Sequence, residues 1–415
     1  MTYQTGFRNE FQTEVKTGIL PVGQNAPQKL PEGLIAEQIS GTAFTAPRAN
    51  NFRTWVYRKY PSVIQGAPVQ TSFPSWKTAP LPTGQTPLQL RWNPVPSLKD
   101  LSFLEGIQTY VATGDPHSFS GSAIHAYQCD RSMDCFFQNS DAEMVILPEQ
   151  GSLIIFTELG KLEISPGFLG VIPRGILFRV EVQSYSRGYV CENYGQPFTL
   201  PELGPIGANG LAHSRDFETP CAFVDLKAPT DIITKFDGSF WKSERKKSPL
   251  DVYAWHGNYA PYRYHLLRFN TMGTVSVDHP DPSIYTVLTS PSSIPGTANM
   301  DFVIFPWRWL VGENTFRPPY YHRNVMSEFM GLIHGEYDAK KKGFVPGGAS
   351  LHNCMQPHGP SREVFEKEST KELAPEKLEN TLAFMFESQT IYRTTAEAQK
   401  TPWIQSDYLD CWKWD

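Results

Sequence analysis

Between Ala142 and Val182 the chain reads AEMVILPEQGSLIIFTELGKLEISPGFLGVIPRGILFRVEV. Short runs of β-branched, aromatic and long aliphatic residues alternate with E-Q-G, L-G, P-G and R-G, so no run is longer than a short strand. A helix of ordinary length has no room between such breaks, because each interior glycine or proline costs it about 1 or 3 kcal/mol. The segment is expected to fold as an antiparallel sandwich or barrel. The same rhythm returns between 266 and 361, through TVSVDHPDPSIYTVLT and MDFVIFPWRWLVG. With 35 Pro, 31 Gly and 13% aromatic residues, turn-rich β structure is favoured throughout. The expectation is a mainly β chain with two β-sandwich-like domains, 1–265 and 266–415. The first hundred residues are read as an irregular wrap of loops and edge strands, and SREVFEKESTKELAPEKLEN as surface loop and short helix.

Charge narrows the partners. The net charge is −5 and no basic block is present, which argues against nucleic acid or a membrane surface. The opening MTYQTGFRNEFQTEVK is polar from the start, unlike a secretory signal, and no run approaches the ~20 apolar residues of a membrane span. The six cysteines, at 129, 135, 191, 221, 354 and 411, form no C-x-x-C pair. Reduced thiols in a cytoplasmic protein are expected.

Against this apolar background, YYHRNVMSEFMG (320–331) carries an imidazole and a carboxylate, His322 and Glu328. Four of the ten histidines, His322, His334, His352 and His358, fall in one short stretch around that glutamate. On one helix His322 and Glu328 would lie about 120° apart, and on one straight strand about 20 Å apart. Ligands sharing an ion through bonds of about 2 Å fit neither arrangement. The chain must turn between them, with Asn324 to Ser327 as the bend, and a hairpin then aims both into a barrel. FVPGGASLHNCMQPHGP offers His352 and His358 as third ligands. Two imidazoles and one carboxylate with open positions form the donor set of non-haem Fe(II) oxygenases. The competing reading is that these histidines only satisfy hydrogen bonds inside an aromatic core.

The phrase GSLIIFTELGKLEISPGFLGVIPRG resembles the strand and turn pattern of a cupin, a small jelly-roll barrel. No histidine lies between His125 and His213, so a cupin barrel there is expected to be metal-free. FRPPYYHRNVMSEFMGLIHGEYDAKKKGFVPGGASLHNCMQPHGP closely resembles the homogentisate 1,2-dioxygenase family, iron(II) enzymes that cleave an aromatic ring. YQTGFRNEF, GPIGANGLA, VYAWHGNYAPYRY and DHPDPSIYTVLT carry the likeness along nearly the whole chain.

The resemblance implies Fe(II) held by His322, Glu328 and His358, with homogentisate and O2 as substrates and a homo-hexamer, a dimer of trimers, as the assembly. It matches His279 to the family's active-site base and Tyr337 to a substrate-contacting tyrosine. His358 is also expected at the substrate, with Asn324 and His352 close behind. Arg317 is a candidate partner for the substrate carboxylate, because its fork matches two oxygens. Asn324 stands where many cupins have their second histidine, while Glu328 and Gly335 keep the cupin spacing. Trp307 stands where proline is expected and has no functional reading. Gentisate-type dioxygenases tend to use three histidines, so Glu328 counts against them. A bicupin that binds a ligand without turnover would be expected to lack the convergent ligands.

Overall fold

The protein is described here by a computed structural model covering residues 2–82, 86–207, 210–340 and 342–414. Ala208 and Asn209 of GPIGANGLA lie outside the described residues. The chain is mainly β, as its turn spacing requires, and three sheets set the architecture. A nine-stranded sheet runs through Gln108–Asp115, Ser120–Cys129, Ser186–Asn193 and Glu143–Gln150, each antiparallel to its neighbour. A seven-stranded sheet includes Phe136–Asn139, Leu153–Thr157, Phe178–Glu181 and Asp231–Phe236. A six-stranded sheet is ordered Thr286–Pro291, Ala298–Phe305, Leu382–Ser388, Ser327–His334, Ala349–His352 and Leu90–Trp92.

Side chains on a strand point alternately to opposite faces, so each strand buried on both sides feeds two cores. Tyr127, Met144, Ile146 and Val190 of the nine-stranded sheet pack with Phe137, Ile155 and Phe178 of the seven-stranded sheet, filling the first barrel. The alternate residues Ile124, Val145, Tyr189 and Cys191 face the other way. They meet Phe302, Phe329, Phe384 and Phe386 of the six-stranded sheet in the most extensive of the cores. The opposite face of the six-stranded sheet, with Val303, Phe305, Met330, Leu332, Ala383 and Met385, joins Tyr285, Tyr337 and Phe344 in a smaller core. This last face carries Glu328 and Glu387 at one end.

Strands cross the 265/266 division in both directions. Leu90–Trp92 adds an edge to the six-stranded sheet against Ala349–His352, and Arg393–Thr394 pairs with Gln108–Asp115 in the nine-stranded sheet. The early residues form more than loops. Phe11–Glu14, Ile35–Ser40 and Arg53–Arg58 build a small sheet with Val252–Gly257. The charged segment near 362 folds as the helix Arg362–Thr370, capped by the Ser361 hydroxyl, which accepts from Val364 N–H. All six cysteines are unpaired. Among the described residues, no helix is long and apolar enough to cross a membrane.

Candidate metal centre

Glu328 sits near the start of Ser327–His334, where strand alternation places it on the same face as Met330 and Leu332. The bend before it is an Asx turn: Asn324 Oδ1 accepts from Met326 N–H at 3.0 Å. The expected turn is therefore present, but His322 does not lie on a hairpin strand paired with Ser327–His334. It pairs instead with His358, whose backbone exchanges two hydrogen bonds with it, His322 N to His358 O at 2.9 Å and His358 N to His322 O at 3.1 Å. That exchange brings the two imidazoles to a centroid separation of 4.2 Å.

The side chains are set by further bonds. His322 Nδ1 lies 2.8 Å from Tyr320 O, and His358 Nδ1 lies 3.0 Å from Gln356 O. A carbonyl can only accept, so each Nδ1 carries a proton, and Nε2 is the nitrogen turned toward Glu328, a metal ligand once it holds no proton of its own. Those Nε2 atoms face one carboxylate: His358 Nε2 is 2.9 Å from Glu328 Oε2, and His322 Nε2 is 3.6 Å from Glu328 Oε1. All three donors lie within 4.8 Å of one another, and this is the only such group among the described residues. Burial pushes the Glu328 carboxyl up, but the two imidazoles outweigh it and hold the group at about 2. Burial pulls His322 down, and Glu328 with the Tyr320 carbonyl reverses that, leaving the imidazole more basic than usual. Tyr321, Arg323, Met355 and Trp412 line the cleft of about 720 Å³ over His322 and His358.

The first barrel has its own polar end, and it is closed. Glu192 accepts from Lys235 Nζ at 2.6 Å, Asn139 Nδ2 at 2.6 Å and Trp76 Nε1 at 3.0 Å, with His125 Nε2 at 3.2 Å. Burial raises the Glu192 carboxyl, but Lys235 and His125 together hold it well below the usual range. An internal ammonium thus neutralises the carboxylate there.

The remaining sequence candidates divide. Asn324 Nδ2 donates to Glu328 Oε1 at 3.2 Å and to Glu387 Oε1 at 2.8 Å, bridging two buried carboxyl groups. His352, the register partner of Glu328, stacks flat on His358 at 4.3 Å. Burial and the nearby Lys340 drive its pKa well below the ordinary value, so the ring is neutral. His279 lines a neighbouring cleft with Asp278, Phe316 and Tyr320. Its ring meets Tyr320 edge-on at 5.1 Å, and Tyr320 meets His322 at 5.6 Å. His279 Nδ1 is 3.0 Å from Pro280 O, so Nδ1 carries a proton and Nε2 is the nitrogen left to meet a ligand. Tyr337 is buried against Phe305 and Phe344. Arg317 is held by backbone carbonyls. Its Nη2 donates to Gly312 O at 3.2 Å and its Nη1 donates to Ala374 O, so the guanidinium braces two loops.

Residues 2–266 match the profile of the homogentisate 1,2-dioxygenase N-terminal region, and 267–414 that of the C-terminal region. The chain belongs to the homogentisate 1,2-dioxygenase family. It is 55% identical to the homogentisate 1,2-dioxygenase of Nitrobacter hamburgensis, over 99% of this chain and 93% of that protein. It is also 55% identical to the enzyme of Rhodopseudomonas palustris strain TIE-1 and 53% identical to that of Bradyrhizobium diazoefficiens, with the same coverage.

In this homogentisate dioxygenase relative, three groups beside the centre escaped the sequence reading. Glu387 is the cross-strand partner of Glu328, and burial together with the Glu328 charge pushes its carboxyl up to about 8. Alternation in LAFMFES could have revealed it, since Glu387 is in phase with the inward Ala383 and Met385. Lys340 is buried with its ammonium lowered to about 7 by burial. Tyr408 contacts both Lys340 and His352 from a point far along the chain, and no local pattern signals that.

Proposed function

We propose that this chain is an Fe(II)-dependent dioxygenase that opens the aromatic ring of homogentisate with both atoms of O2, giving maleylacetoacetate in tyrosine and phenylalanine catabolism. The observation that carries this reading is the convergence of the His322, Glu328 and His358 donors within 4.8 Å, in a chain matched end to end by that family. The donor set fits the ion, because two neutral imidazoles and a carboxylate leave coordination positions open for substrate and oxygen. The carbonyls of Tyr320 and Gln356 support it by fixing both tautomers with Nε2 available. Bound Fe(II) supplies the redox chemistry that lets triplet dioxygen react with a singlet ring, which zinc lacks.

The protein groups then have distinct tasks. His279 accepts the proton of a substrate hydroxyl through Nε2. Tyr320, in ring contact with both His279 and His322, keeps base and centre in relation. Tyr337 and His352 contact the substrate, and His358 adds to that contact from its ligand position. Asn324 orients the Glu328 carboxylate. The apolar lining around them limits water and strengthens each polar contact.

The assembly is read as a homo-hexamer built from trimers, in the cytoplasm. Exposed Val275, Val277, Tyr320, Tyr321, Val325 and Met355 support a surface covered by a second copy. Oxygen uptake by the Fe(II)-loaded protein tests the reaction, with gentisate and zinc-loaded protein as controls. Stoichiometric uptake with homogentisate alone is expected. Absence of uptake with iron demonstrably bound would overturn the reading.

A further inference from the structure

His352 is buried and lies flat against His358, yet its two ring nitrogens are treated differently. Nε2 lies 2.7 Å from the Tyr408 hydroxyl and 3.3 Å from Lys340 Nζ. Nδ1 is buried with no protein partner. Lys340 Nζ in turn donates to the Tyr408 oxygen. A hydroxyl has one proton to give, and with an N–H of Lys340 entering its oxygen, that proton goes to His352 Nε2. Nε2 then accepts, and a neutral imidazole whose Nε2 accepts must carry its proton on Nδ1.

The surroundings hold this chain of donors still. Arg91 lies over the Tyr408 ring at 4.3 Å, and Lys340 Nζ lies over the Trp412 ring at 4.7 Å. Trp412 Nε1 donates to Pro360 O at 2.9 Å, tying the turn Tyr408–Trp412 beside the His358 loop. The result is a buried N–H with nothing to bond, on a ring stacked against His358. Such a group is destabilising unless a ligand oxygen meets it.

We propose that Tyr408 and Lys340 are positioning residues that lock His352 with its proton on Nδ1, making that N–H a donor to an oxygen of the bound aromatic acid. The proposal rests on the substrate-binding reading above, but its first half needs no substrate. Nitrogen-15 magic-angle-spinning spectra of histidine-labelled, zinc-loaded full-length protein separate protonated from bare ring nitrogens, and the His352 signals are those lost in His352→Gln. Protonated Nδ1 and bare Nε2 are expected. Tyr408→Phe removes one oxygen and little packing, and Lys340→Met removes the other donor. Each should shift His352 toward protonated Nε2 and raise KM for homogentisate about tenfold, with iron content and kcat little changed.

A wild-type His352 protonated on Nε2 would overturn the proposal, as would an unchanged tautomer in both variants. A shifted tautomer with unchanged KM would refute the substrate contact. If the wild type takes up no oxygen with homogentisate while His352 still carries its proton on Nδ1, the proposed function fails and the locking of His352 stands.

Discussion

At the scale of single residues, Glu328 is the one anionic donor of the three, and both imidazoles are oriented on it. Glu328→Ala is expected to retain less than about a tenth of the iron of the wild type, with its circular dichroism nearly unchanged. Metal analysis of the purified variant checks this, and near-normal iron content would remove Glu328 from the ligand set. Lys340 presents a different balance. Among the described residues it has no ion-pair partner, and its folded value of about 7 lies below the ordinary lysine value of 10.5. Below about pH 7 the folded and unfolded states are both protonated, and the full cost of the buried ammonium is felt. Between 7 and 10.5 the folded protein sheds the proton while the unfolded chain keeps it, so stability gains up to about 1.4 kcal/mol per pH unit from this group. Lys340→Met should therefore be more stable than wild type at pH 6, with an advantage that shrinks as pH rises through 7 toward 10. Paired denaturant titrations across that range measure it, and a pH-independent difference would count against the assignment. The spacing of His322 and Glu328 was legible because no regular element can make them converge. The choice between His352 and His358 was not legible from residues alone, since both follow the same turn and differ only in which one exchanges backbone bonds with His322.

At the scale of elements, the centre depends on the bend that delivers Glu328 into its strand. Asn324 closes that bend through Met326 N–H and holds apart two carboxyl groups with its amide. Asn324→Ala removes both functions, leaving Glu328 and Glu387 facing each other without a donor between them. Metal affinity is expected to fall about 10–100-fold with all three ligands still present. Competitive titration with a chelator of known affinity reads this directly, and an unchanged affinity would show that the strand alone orients Glu328. The existence of a turn here was readable, because the ligands demanded one and Asn is a favoured turn residue. The partner of the preceding segment was not. A hairpin is the shortest solution, whereas the fold pairs His322 with a residue beyond two further strands, and long-range pairing leaves no periodic mark in either segment.

At the scale of the whole molecule, the two halves seen in the sequence exchange strands. The boundary near 265 is visible as a change in rhythm, but Leu90–Trp92 and Arg393–Thr394 each complete a sheet belonging to the other half. The aromatic residues of the six-stranded sheet bury one whole face against the nine-stranded sheet. Phe384 is central to that contact. Its ring packs on Tyr189 at 4.8 Å and Phe386 at 5.3 Å, and Gly331 lies so close that a Cβ there would meet the Phe384 ring at 2.3 Å. A layer this tightly seated cannot refill the space left by a missing ring, so Phe384→Ala should cost about 3–5 kcal/mol. Because Phe384 bridges the halves, the loss should appear as one transition shifted down by roughly 4–6 °C, not as early melting of the metal-binding half alone. Differential scanning calorimetry of the apoprotein distinguishes the two outcomes. Two resolved transitions, with the upper one unmoved by the substitution, would mean that the first barrel is stable without its neighbour. A single transition would mean that the metal centre is held by the packing of the entire chain, since the strand carrying Glu328 lies against the strand carrying Phe384.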